Sequence, residues 1–155
     1  MTNLQYLRMK IPDEDTNNQI FTDEELNQIL IDNSEVKLVY AERKDYEGYL
    51  YQIPYRHVDE VYTEKVFVDG VNTDCNFNKE TGEITFTTPV DGIVAVEVKV
   101  VNWGDALADC YEMIMGDYRK LSSYTVSGTS QHMDDLKAHL RMLVRHYRGI
   151  KGIDL

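Results

Sequence analysis

Two cysteines, Cys75 and Cys110, are all the chain has, and neither stands in a CxxC or a His-Cys spacing. A thiol-rich metal site and a disulfide scaffold are thereby excluded, and both thiols are expected to be buried and free. Nor is there an apolar run long enough to span a bilayer; the longest, "GIVAVEVKVV", is broken by charge. The N-terminal "MTNLQYLRMKIPDED" lacks the apolar core of a signal peptide, so the protein is expected in the cytoplasm in which it is made, with no membrane partner. Basic residues are scarce as well. Sixteen Lys and Arg against twenty-seven Asp and Glu leave a net charge of -11, which repels a phosphate backbone and disfavours nonspecific nucleic-acid binding.

Chemistry-bearing motifs are also few. Ser122, Ser123, Ser127 and Ser130 stand outside any Gly-x-Ser-x-Gly elbow. "VDGVNTD" and "TVSGTS" lack the repeated glycines and the lysine of a phosphate-binding loop. His132, His139 and His146 recur every seven residues along one helix, but seven residues rise about 10.5 Å, so no two can ligate one zinc ion. Asp69, Asn72, Asp74, Asn76 and Glu80 crowd into one stretch without the order of a calcium-binding EF-hand loop, and turns account for them. Neither an enzyme, a metal site nor a cofactor is expected.

What the chain does have is 155 residues, 43% of them apolar, enough for one domain with a real core. The charge is uneven: from Asp117 onward seven Lys and Arg face four Asp, +3, leaving -14 for the first 116 residues. Residues 1–20 read as an arm, with a weak helical pattern in Leu4, Leu7 and Met9 broken by Pro12 and a polar run. Residues 21–33 read as a helix, with Thr22 and Glu25 as a capping box and Leu26, Ile29 and Leu30 as its apolar stripe.

Residues 36–101 read as consecutive antiparallel strands, rich in β-branched and aromatic residues. Alternation places Ile84 and Phe86 on one face, and Val94, Val96, Val98 and Val100 on another. Gly70, Gly82 and "PVDG" at 89–92 supply the turns. Residues 104–149 read as a helical pair. In the first helix Leu107, Cys110, Ile114 and Leu121 recur at helical spacing behind Asn102 or Asp105 as cap, with Gly116 inside as a point of close packing. In the second, capped by Thr129 or Ser130, Met133, Leu136, Leu140, Leu143 and Tyr147 form a stripe able to pair with the first. Residues 150–155, "IKGIDL", are an apolar-tipped tail. The fold class expected is therefore α+β, a small helical bundle with an inserted antiparallel sheet of hairpins, in a single domain. Eleven tyrosines, several in "YEGYLYQIPYRHVDEVY", suit half-buried strands or an assembly surface.

This order of elements, the "FTDEELNQIL" helix, the insertion "VFVDGVNTDCNFNKETGEITFTTPVDGIVAVEVKV" and the helices ending in "LKAHLRMLVRHYRG", resembles the head-to-tail connector (adaptor) proteins of tailed bacteriophages over residues 20–149. The resemblance implies a homo-oligomeric ring, typically of twelve copies, in the neck of the virion. It would sit beneath the portal protein and offer a platform for the stopper or tail protein, with DNA passing through its channel without specific binding. It implies that the C-terminal segment reaches the portal, which in this chain means Tyr147, Arg148, Ile150, Lys151, Ile153 and Leu155. A β region larger than a simple hairpin departs from the smallest members and leaves a neck or tail-completion protein as an alternative; a β-rich module for a glycan or protein is another.

Overall fold

The computed structural model describes residues 1–11, 13, 19–126 and 133–149 of the chain. The fold is α+β, with five helices and two antiparallel four-stranded sheets among the described residues. They belong to two compact units: one from residues 1–33 together with residues 102 onward, the other spanning Ser34–Val101.

In the helical unit, α1 (Asn3–Lys10) opens on a capping box in which Thr2 Oγ1 accepts from Gln5 N at 3.1 Å and Gln5 Oε1 accepts from Thr2 N at 2.9 Å. Eight of the twenty residues expected to be an arm are thus helical, and Leu7 among them is fully buried. In α2 (Asp23–Asp32) Thr22 and Glu25 form the expected box, and Leu26, Ile29 and Leu30 are buried. Asn102 caps α3 (Trp103–Gly116), its side-chain oxygen accepting from Asp105 N.

The single helix expected to run on to Leu121 stops at Gly116. Asp117 is extended, with φ -121 and ψ 114, and its carboxylate accepts from Arg119 N and Lys120 N to start α4 (Tyr118–Val126). A Cβ on Gly116 would meet nothing within 4 Å, so this glycine ends a helix and does not serve close packing. The last helix, α5 (Met133–Gly149), packs on α3, with Leu136 and Leu140 fully buried and Leu143 half-buried. Its expected caps, Thr129 and Ser130, lie outside the described residues.

The β unit contains β1 (Ser34–Tyr40), β2 (Glu42–Arg43), β3 (Leu50–Gln52), β4 (Lys65–Val68), β5 (Val71–Asn72), β6 (Asn76–Phe77), β7 (Glu83–Thr85) and β8 (Val94–Val101). They pair in the orders β1-β8-β4-β5 and β2-β3-β7-β6. Every pairing is antiparallel, as expected, but not every one is consecutive: β8, last in the chain, lies between β1 and β4. Composition explains its place. Val94, Val96, Val98 and Val100 fill one face, while Ala95 and Val101 are buried on the other, and a strand buried on both faces belongs inside a sheet.

Tyr51, Ile53, Val58, Val66, Ile84 and Phe86 complete this unit's core with those valines. Asp69 and Gly70, at φ 49 and 81, make the two-residue turn joining β4 to β5. Gly82, at φ 77, closes the turn before β7, where Asn78 Oδ1 accepts from Glu80 N and Thr81 N. Of the five residues expected to belong to turns, Asp69 and Glu80 do and Asp74 lies in the connection between β5 and β6, but Asn72 and Asn76 are strand residues of β5 and β6.

Candidate functional site

Two of the six residues that the resemblance singles out, Tyr147 and Arg148, lie among the described residues. Ile150, Lys151, Ile153 and Leu155 lie outside them.

The approach to this site is set by spacing. Leu136, Leu140, Leu143 and Tyr147 recur at four, three and four, so one side of α5 meets α3 along its length. Near its end the Tyr147 ring stacks on Tyr111 of α3, with centroids 5.8 Å apart and planes 8° from parallel. Burial pushes the Tyr111 hydroxyl well above its usual range, with Tyr147 and Tyr124 adding to it, so the Tyr111 ring enters the stack neutral at any ordinary pH. His146 sets its ring edge-on to Tyr147, 5.1 Å between centroids.

One residue further on, Arg148 flanks the stripe and faces an acidic row on α3. Asp105, Asp109 and Glu112 are four and three apart and therefore share a side of that helix. Arg148 Nη2 lies 2.8 Å from Asp109 Oδ1 and 2.9 Å from Glu112 Oε2, and Nη1 lies 3.5 Å from Asp105 Oδ1. The bonds to Asp109 and Glu112 hold the guanidinium above its already high usual range, so the charge is permanent. Asp109 Oδ2 also accepts from Asn33 Nδ2 at 2.8 Å, and Asn33 Nδ2 donates in addition to Ile29 O at the end of α2. Tyr147 and Arg148 therefore bind within their own unit, to α3.

A second polar assembly ties down the N-terminal segment, and nothing in the sequence reading pointed to it. Arg8 on α1 is buried: Nη1 donates to Asp13 Oδ2 at 2.5 Å, and Nη2 donates to Phe21 O at 3.1 Å and Asp23 Oδ1 at 2.6 Å. The fully buried Asp13 carboxylate also accepts from Ile20 N and from Phe21 N. Lys120 of α4 reaches the same corner, donating to Ile20 O at 2.9 Å and to Glu25 Oε2 at 2.7 Å, with its ammonium 4.8 Å above the Phe21 ring. Every member is paired, which is what buried charge requires. The only signal in the sequence was the capping pair Thr2 and Gln5; an arginine and an aspartate five apart look like any solvated pair.

Among the described residues, no helix is long and apolar enough to cross a membrane. Set against protein-family models, curated proteins and solved structures, the chain matches none.

Proposed function

We propose that the chain is a structural virion protein: a head-to-tail connector of a tailed bacteriophage that assembles as a ring between the portal and the tail or stopper. The observation that carries this reading is the division of labour along the chain. Residues near both termini build one helical unit, and the chain between them forms an all-antiparallel insertion, the organisation that the resemblance implies. The mechanism lies in interfaces. Copies stand side by side around the channel, twelve by the resemblance, and the acidic bulk lets DNA slide without sticking.

In this reading the end of α5 is a rigid base. Tyr147 and Arg148 are held against α3, with the Arg148 side chain still 38% exposed, and they join Ile150, Lys151, Ile153 and Leu155 as the portal-binding residues of this reading. No catalytic group, metal or cofactor takes part. A neck or tail-completion protein is the second reading, favoured by the size of the insertion, two sheets where a single hairpin would serve.

Negative-stain imaging of the protein mixed with a portal tests the first reading, which expects rings docked on one end of the portal. Removing residues 150–155 is expected to abolish docking while leaving the unfolding transition in place; unchanged docking would refute the tail assignment. Rings that form only with a tail tube favour the second reading.

A further inference from the structure

Strand β1 is an open sheet edge with its two faces the wrong way round. Ala41 N donates to Val94 O at 2.9 Å just past the strand, and bonded pairs alternate along an antiparallel ladder, so the odd-numbered residues of β1 direct their backbone groups at β8. Val36, Leu38 and Tyr40 direct theirs off the edge. Their side chains share one face and are 52%, 58% and 67% exposed. On the opposite face, where β8 carries the buried Val96, Val98 and Val100, β1 carries Lys37 and Glu35 beside Val39. An edge strand that met only water would put charge outside and apolar side chains inside. Ile93, just before β8 and 65% exposed, extends the apolar row beyond Tyr40.

We infer that a second copy of this chain covers the edge, β1 running antiparallel to β1 about a two-fold axis through Leu38. The strand is its own complement in that register. Leu38 faces the partner's Leu38, Val36 faces the partner's Tyr40, and each pair occupies a position that exchanges two backbone hydrogen bonds. On the other face Lys37 lies across from Val39 and Glu35 across from Ala41. Moving the axis to residue 37 would set Lys37 against Lys37, which disfavours that register.

Lys37 also has a partner within its own copy, Glu35 at 2.8 Å, and its ammonium lies 5.9 Å from the centroid of the Tyr55 ring. The other sheet edges, β5, β2 and β6, are two residues long each and cannot receive a seven-residue strand, so strand pairing between copies falls to β1 with β1. Such a contact closes at two copies and differs from any that builds a ring, so it does not rest on the connector reading.

Sedimentation velocity over a concentration series is expected to show a monomer–dimer equilibrium that Leu38→Lys abolishes and Val61→Lys, at a 91% exposed loop position of the same unit, leaves intact. In a Cys75→Ser background, Leu38→Cys is expected to link copies covalently with a short bismaleimide, and Val61→Cys is not. A wild type that stays monomeric throughout, or a dimer that survives Leu38→Lys and does not link through position 38, would overturn the inference. Rings on a portal formed by Leu38→Lys would leave the connector reading standing whichever way the dimer falls.

Discussion

Arg148 donates to Asp109 across 2.8 Å, joining the last turn of α5 to the middle of α3 from thirty-nine residues away. The Arg148 side chain is 38% exposed and that of Asp109 32%, so the pair is screened by water in spite of its geometry. Arg148→Ala is expected to cost about 1 kcal/mol or less, seen as a small fall in Tm at low salt that shrinks at high salt. A loss insensitive to salt would assign the effect to the packed stem of the side chain.

Asp13 presents the contrasting case. Its carboxylate is fully buried and accepts from Arg8 and two backbone N–H groups, so Asp13→Ala strands a buried guanidinium and is expected to cost about 3 kcal/mol in urea unfolding. Asp23, the other carboxylate on Arg8, has a side chain 62% exposed, and Asp23→Ala is expected to cost less than about 1 kcal/mol. Equal losses would show that Arg8 is held by something other than Asp13.

The bond from Lys120 to Glu25 should appear in the pH dependence of stability. Burial acts to raise the Glu25 pKa, but the Lys120 hydrogen bond, the Thr22 N–H and the Lys120 charge outweigh it and hold the carboxyl below its usual 4.5. A depressed folded-state pKa gives stability that is present above 4.5 and lost as pH falls through the folded value. The wild type is therefore expected to exceed Glu25→Gln in stability at neutral pH, and the gap to close in acid below 4.5. A gap that persists at pH 2 to 3, roughly, would point to packing instead.

Gly82 and Gly70 both adopt positive φ, yet they differ in their surroundings. A Cβ on Gly82 would lie 2.3 Å from Tyr55 O, whereas one on Gly70 would meet nothing within 4 Å. Gly70→Ala is expected to cost about 1 kcal/mol, the strain of the left-handed backbone alone. Gly82→Ala has to displace the chain at Tyr55 as well and is expected to cost at least about 3 kcal/mol, read from thermal unfolding.

Both thiols should be quiet. Burial, with Glu64 and Asp74 nearby, pushes Cys75 up to about 11, and burial with Asp109 and Asp13 pushes Cys110 up to about 12. Since the thiolate is the reactive form, neither is expected to react with Ellman's reagent at pH 8 in the folded protein, and both are expected to react in denaturant.

Much of the local structure could be read from the chain because its causes lie within a few residues of one another. Thr22 and Glu25 cap α2 by a bond three residues long, and Gly70 and Gly82 make turns because glycine adopts their positive φ without strain. Ile84 and Phe86, like the valines of β8, share a face because strands alternate. Gly116 misled because a glycine in a helical pattern is compatible with close packing or with a stop, and Asp117 decided for the stop.

The α+β class, the capped starts of α2 and α3, the hairpin turns and the stripe by which α5 meets α3 are written in the chain, since each follows from periodicity or from the preferences of one or two neighbouring residues. The place of β8 between β1 and β4, the anchoring of the N-terminal segment by Arg8 and Asp13, and the turn of Arg148 to Asp109 come from long-range packing. Those choices depend on which distant partner completes a ladder or neutralises a buried charge. Many pairings satisfy a local pattern equally well, and only the packed chain brings one of them within hydrogen-bond reach.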